Sequence, residues 1–202
     1  MTSPILTIMI PTTVDRRPMF KSLFIKIWSQ IFEHNFHNDV EVIFEEDNKE
    51  ISVGRKRQNL LVRSKGTWVV GIDSDDDIAD TYILDIVSSL KLNPSVDHIG
   101  FIEDCTINGE KSKSLFSIKH KKWAENTDGY DHIRCANPKS VIRRSKALMV
   151  GFEDMRYGED IVFSERVTPL LDSEIFINKP LYLYNHISTE HYERYGISHD
   201  AI

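Results

Sequence analysis

Cysteine is scarce: Cys105 and Cys135 are the only two among 202 residues. They make neither a disulfide framework nor a metal-ligand spacing, so both are expected as free thiols. No segment approaches the roughly 18 consecutive apolar residues of a membrane span. The first residues carry no basic segment ahead of a long apolar core, as a secretory leader would. A soluble, cytoplasmic protein is expected. Positive charge is also short, with a net charge of -6, which argues against a general nucleic-acid binder. Internal repeats, low-complexity tracts and long linkers are missing. With 41% hydrophobic residues the chain suits one compact domain with a substantial core.

Short apolar runs alternate with helical patterns, the sign of strands joined by crossover helices in a largely parallel sheet. Ile5 to Ile10 predicts a first strand, ended by Pro11. Residues 18–34 predict a helix, with Phe20, Leu23, Phe24, Ile27 and Ile31 at helical spacing. Val40 to Phe44 predicts a second strand. Arg55 to Lys65 predicts a second helix with Gly66 as its C-terminal cap, and Thr67 to Ile72 a third strand. A helix over 80–92, a strand over 96–102 and a tight turn at Asn108-Gly109 follow. Residues 111–137 give no clear pattern. A helix from about Gly158 places Phe163, Val167 and Leu170 on one face, and short strands are expected over 174–177 and 181–184.

The third strand exits into Asp73-Ser74-Asp75-Asp76-Asp77. A buried strand that ends in four carboxylates calls for a cation, and hard oxygen donors suit Mg²⁺ or Mn²⁺. Such an ion is usually held by one or two carboxylates together with substrate phosphates. The carboxyl edge of an open α/β sheet is also where ligands bind. An EF-hand loop begun at Asp73 fails, because Ile78 stands where Gly is needed and Leu84 where Glu is needed. A phosphatase of the haloacid dehalogenase type is a poor match, since Asp77 stands where that family has Thr or Val.

Four blocks resemble a family 2 glycosyltransferase of the GT-A fold. They are Leu6-Thr7-Ile8-Met9-Ile10-Pro11-Thr12, Val53-Gly54-Arg55-Lys56-Arg57-Gln58-Asn59, Ile72-Asp73-Ser74-Asp75-Asp76 and Tyr157-Gly158-Glu159-Asp160-Ile161-Val162-Phe163. Their order and spread, from about residue 6 to 163, make the match more specific than any one block. The resemblance implies an α/β, doubly wound, mostly parallel sheet flanked by helices in a single domain. About 1–100 would form the nucleotide-sugar-binding half and about 101–202 the acceptor-binding half.

It also implies roles. Asp75 is the first choice as metal ligand and donor contact. Asp73 meets the nucleotide ribose or assists the metal, and Ser74 lies between them as a donor contact. Asp76 is a lesser candidate, and Asp77 is expected to cap the following helix. Arg57 aligns with the family's nucleotide-contacting arginine, behind a flexible turn at Gly54. Arg55 and Lys56 read equally well as a solvated helix face. Asp47 resembles the base-reading aspartate although Glu45 and Glu46 crowd it, and Thr12 is placed beside the base. Asp160 is the expected catalytic base, on the inward stripe with Phe163 and Val167, while Glu159 falls on the row of Val162 and Arg166. The plainer reading is that both acids favour the helix N-terminus electrostatically. His186 is a third metal-ligand candidate with His191 competing, and an exposed histidine is the default for either. Residues 192–200 read as a donor lid, an oligomer contact or a frayed end.

The implied activity is a metal-dependent, inverting transfer from a nucleotide sugar, a UDP-sugar being favoured, to a saccharide or glycoconjugate acceptor. Lys111, Lys113, Lys119, His120, Lys121, Lys122 and Trp123 belong to a basic run with no acid between Lys111 and Trp123. It reads as solvated surface, or as a contact for an anionic acceptor such as a lipid-linked sugar or modified DNA base, nucleic acid not being favoured. The alternative function is a non-catalytic nucleotide-sugar or carbohydrate-binding module of the same fold.

Overall fold

The computed structural model describes residues 3–127 and 129–186. Strand β1 (Leu6–Thr13) is parallel to β2 (Val40–Asp47) on one side and to β3 (Trp68–Gly71) on the other. Being covered on both faces, β1 reads as a continuous apolar run instead of an alternation. Pro11 lies inside β1, opposite Glu45, and does not end it. Pairing with β3 stops at Met9 and Gly71, so the neighbouring edge has no β3 partner at Pro11 and a residue without an N–H is tolerated there.

Two apolar cores occupy the two faces of the sheet. Ile8, Ile10 and Val70 point to one, with Leu23, Ile27 and Ile31 of α1 (Arg17–Glu33) and Ile83, Ile86 and Leu90 of α3 (Tyr82–Leu92). Met9 and Val69 point to the other. There they meet Leu60 and Leu61 of α2 (Val53–Arg63), Ala147 of α4 (Arg144–Val150), and Phe163 and Val167 of α5 (Glu159–Val167). This is the doubly wound arrangement expected of the sequence.

Several boundaries differ from expectation for identifiable reasons. Helix α2 starts at Val53 because Ser52 caps it, its Oγ accepting the Arg55 N–H at 3.0 Å. The helix ends at Arg63, so Gly66 is not its cap. A Cβ on Gly66 would stand 2.5 Å from the Thr7 backbone nitrogen, which explains the glycine by close approach to β1. Gly54 is likewise no flexible turn. It lies within α2, where a Cβ would come within 2.0 Å of the Glu153 carbonyl oxygen. Asp77 does not cap α3 either. It sits in β4 (Asp77–Ile78), and its carboxylate binds Lys26 at 3.1 Å.

Strand β5 (His98–Ile107) carries β10 (Glu174–His186) in parallel along one edge. Its other pairings are antiparallel, first with β9 (Val141–Arg143) and then with β6 (Glu110–Phe116). β9 also joins β3, which links the two halves into one mixed sheet. The two late strands predicted separately are one, with register shifts around Pro180. The unread middle supplies β6, β7 (Ala124–Thr127) and β8 (Tyr130–Arg134). Asn108 and Gly109 form the expected turn, both at positive φ (53° and 86°). Leu170 falls just past α5, in a 3-10 turn. No described helix is long and apolar enough to cross a membrane.

Candidate active site

The carboxyl ends of β1 and β3 open into a cleft of about 590 Å³. Asp73, Asp75, Asp76, Arg57, Glu159, Asp160 and His186 all line it, so four separated sequence regions meet there. A smaller recess of about 250 Å³, lined by Thr13, Asp15, Ile51 and Lys56, shares Arg16, Val53, Arg156 and Tyr157 with the cleft.

The buried Arg57 guanidinium organises the floor. Its Nη2 donates to Asp73 Oδ1 at 2.7 Å, and its Nε is 3.3 Å from Glu159 Oε1. Burial works against the charge on Arg57, but Asp73 and Glu159 outweigh it and its pKa is raised. Burial also pushes the Glu159 carboxyl above the usual glutamate range against the pull of Arg57. Asp73 is opposed by burial in the same way, yet Arg57 and Lys139 hold it below the usual aspartate range. Removing one partner of such a network leaves the others uncompensated. Arg57→Met is therefore expected to lower unfolding stability by about 3 to 5 kcal/mol in chemical denaturation. Adding Asp73→Asn should recover part of that loss, and a strictly additive double variant would show that the pair is not coupled.

Asp75 and Asp76 are distinct despite adjacency. Asp75 faces the cleft mouth, where Arg16 grips both oxygens at 3.0 and 2.9 Å, with 44% of the arginine side chain exposed. Burial keeps its pKa raised, Arg16 offsetting only part. Asp76 lies beneath, where its Oδ2 accepts from the Tyr182 hydroxyl at 2.7 Å and from Lys139 Nζ at 3.1 Å. Burial lifts its carboxyl to about 7 in spite of Lys139. The Asp73 N–H donates to the Tyr182 hydroxyl oxygen at 3.0 Å, so one tyrosine joins both ends of the turn.

The donor set fits a hard divalent ion completed by substrate oxygens. The partly exposed Arg16 guanidinium already occupies Asp75, which marks that carboxylate as one that takes a positive partner. Among the described residues no three His, Cys, Asp or Glu side chains converge as a protein-only cage. His186 ends β10 at the rim, its ring stacked on Tyr184 with centroids 6.0 Å apart. His191 and residues 192–200 lie outside the described residues.

Other expected contacts are turned inward. Thr12 is buried and its carbonyl accepts Lys56 Nζ at 2.7 Å, while its neighbour Thr13 lines the recess. Ser74 is fully buried. Asp47 accepts the Ile51 N–H at 2.7 Å and pairs with Lys56. Burial raises its pKa, but these partners lower it below the usual range. Lys56 is itself buried and is not on a solvated face.

Helix α5 corrects one detail of phase. Glu159, Phe163 and Val167 form its buried row, so Glu159 and not Asp160 shares the inward stripe. Asp160 is half-buried beside it, facing the cleft. The sequence reading missed Lys139 and Arg134, whose guanidinium lies 4.4 Å from the indole centroid of Trp123, and it gave Tyr182 no role of its own. Lys139 carried one signal, as the only charge between Arg134 and Arg143.

No family model matches this sequence, and no curated protein matches it. Solved structures match in fold. S. aureus TarS 1-349 in complex with UDP-GlcNAc aligns at a TM-score of 0.64 and 15% identity, over 94% of this chain and 60% of that one. The same TarS fragment with UDP gives 0.62 at 14% identity, over 94% and 62%. The mannosyltransferase PcManGT from Pyrobaculum calidifontis, in complex with GDP-Man and Mn²⁺, gives 0.53 at 13%, over 90% and 57%. The chain thus spans about 60% of the length of the TarS fragment. These likenesses establish the GT-A-like α/β fold shared with glycosyltransferases.

Proposed function

We propose that this chain is an inverting glycosyltransferase that moves the sugar of a nucleotide-sugar donor, a UDP-sugar in the favoured case, to a hydroxyl of a saccharide or glycoconjugate. The observation that carries this reading is the convergence of Asp73, Asp75, Arg57 and Asp160 on one cleft beside a nucleoside-sized recess. Residues from about 1 to 100 supply most of the donor side, joined there by Arg156 and His186, and residues from about 101 onward most of the acceptor side. The binding of nucleotide sugars by neighbours of the same fold supports the donor class.

In this reading the nucleoside enters the recess by Thr13 and Lys56, and Arg16 and Arg156, which line both spaces, meet the diphosphate. Arg57, paired with Asp73 and Glu159, orients those acids. Held by Asp75 with His186 at the rim, Mn²⁺ or Mg²⁺ would supply Lewis-acid stabilisation to the leaving diphosphate. Asp160 accepts the proton of the acceptor hydroxyl as its oxygen bonds to the anomeric carbon and the bond to the phosphate oxygen breaks. The decisive test is metal-dependent release of nucleotide from a panel of sugar nucleotides with saccharide acceptors. Tight donor binding without turnover under any condition would favour a binding module of the same fold.

The basic run divides in space. Lys111 and Lys113 line a larger cavity of about 820 Å³ across the Asp75–Asp77 loop. Lys119, Lys121 and Lys122 are exposed and line neither that cavity nor the cleft. Replacing these last three by Gln is therefore expected to change donor and acceptor kinetics by less than about twofold at low and high salt. A salt-dependent rise on the order of tenfold in acceptor KM would instead place an anionic acceptor on that surface.

A further inference from the structure

Lys139 sits at the centre of an acidic cluster that no single element supplies. Its Nζ is 3.1 Å from Asp76 Oδ2, 3.4 Å from Glu103 Oε1 and 3.8 Å from Asp73 Oδ2. It also lies against the rings of Tyr182 and Tyr184, 4.7 and 4.2 Å from their centroids. The acids come from the loop after β3 and from β5, and the rings from β10. Only 15% of the lysine side chain is exposed.

The turn that presents it is fixed from below. The Asn137 N–H donates to Ser140 Oγ, and the Lys139 N–H donates to Asn137 Oδ1, each at 3.0 Å. The Pro138 carbonyl accepts the Gly71 N–H at 2.7 Å, which ties the turn to the end of β3. Ser140 Oγ in turn meets His98 Nε2 at 2.7 Å, and His98 Nδ1 meets Glu174 at 2.9 Å in the buried core. A flexible side chain held this way works as a fixed charge. Without it, Asp76 and Glu103 would face each other with no cation between them, and like charges removed from water draw in a positive partner.

We propose that Lys139 is a positioning residue, a built-in counter-cation that fills the inner half of this cluster, clamps the Asp73–Asp76 loop to Glu103 and leaves Asp75 as the acid that meets a divalent ion. The inference rests on the donor-facing reading of that loop. It adds that the chain itself limits how many ions the acids can take. Asp75 is the outer acid, with 31% of its side chain exposed, against 1% for Asp76 and 7% for Glu103.

Calorimetric Mg²⁺ binding tests this on the natural protein, Lys139→Met and Lys139→Arg, each with and without UDP. Lys139→Met is expected to bind Mg²⁺ at least about tenfold more tightly or to take a second ion, while Lys139→Arg stays close to the natural protein. A merely structural residue would do the reverse, weakening ion and UDP binding together, and that result or no change overturns the inference. If the natural protein takes no ion with UDP but Lys139→Met does, the counter-cation role stands and the metal-assisted reading falls. If the natural protein binds one ion and Lys139→Met is unchanged, the metal reading stands and this inference falls. If neither binds, both fall. Should Lys139→Met not fold, adding Asp76→Asn and Glu103→Gln removes the uncompensated acids and is expected to restore folding. Failure of that triple variant to fold also overturns the role.

Discussion

Asp160→Asn is expected to lower the maximal transfer rate by a factor on the order of 10² to 10⁴ while donor and metal binding survive. A general base acts on the acceptor proton only as the reaction proceeds, so a nearly isosteric amide leaves ground-state contacts in place. The structure sharpens the comparison with its neighbour. Glu159 is buried against Arg57, whereas Asp160 is half-buried and faces the cleft. Glu159→Gln should therefore disturb the Arg57–Asp73 pair and appear as weaker donor binding and lower stability. Steady-state kinetics with calorimetric donor affinity separates the two. If Asp160→Asn mainly weakens the donor and Glu159→Gln mainly slows turnover, the base is Glu159.

That contrast also shows where sequence reasoning stops. Helical spacing alone allows Phe163 and Val167 to share a row with position 159 or position 160, because i+3 and i+4 neighbours lie on adjacent parts of one face. What selects 159 is a charge from elsewhere, the Arg57 guanidinium rising from α2 beneath the first turn of α5. The acidic loop was legible because strand, loop and carboxylates are contiguous. Lys139 was not, since its partners at 73, 76, 103, 182 and 184 come together only through the sheet.

The middle segment was opaque for a related reason. β6 reads Glu-Lys-Ser-Lys-Ser-Leu-Phe, with apolar residues only at its end, and its pairing to β5 and β8 is set across the sheet instead of by local pattern. Pro180 hid the continuity of β10 in the same way, since a proline suggests a break while the strand accommodates it by slipping register. Gly54 and Gly66 were visible but misread. A glycine kept for close backbone approach looks in sequence like one kept for a turn.

Asp75→Asn is expected to abolish metal-dependent donor binding and turnover while the ligand-free protein stays as stable or becomes more so. The carboxylate lies beside Asp73 and Asp76 in a partly dry loop, and its pKa is raised, chiefly by burial, above that of the unfolded chain. Over the pH range between the unfolded and folded values, the native state binds a proton that the unfolded state does not. The charge on Asp75 therefore costs stability as pH rises through that window, and the cost persists at neutral pH. An amide carries no such charge. What it loses is the pair with Arg16, a partner 44% exposed and so readily solvated when released. The apo melting temperature should hold or rise at neutral pH, and the difference from the natural protein should shrink in acid. Nucleotide affinity measured with and without Mn²⁺ should become the same in the variant. A variant that keeps its Mn²⁺ dependence would remove Asp75 from the ion site, and one that melts well below the natural protein would mean that the Arg16–Asp75 pair holds the loop in place.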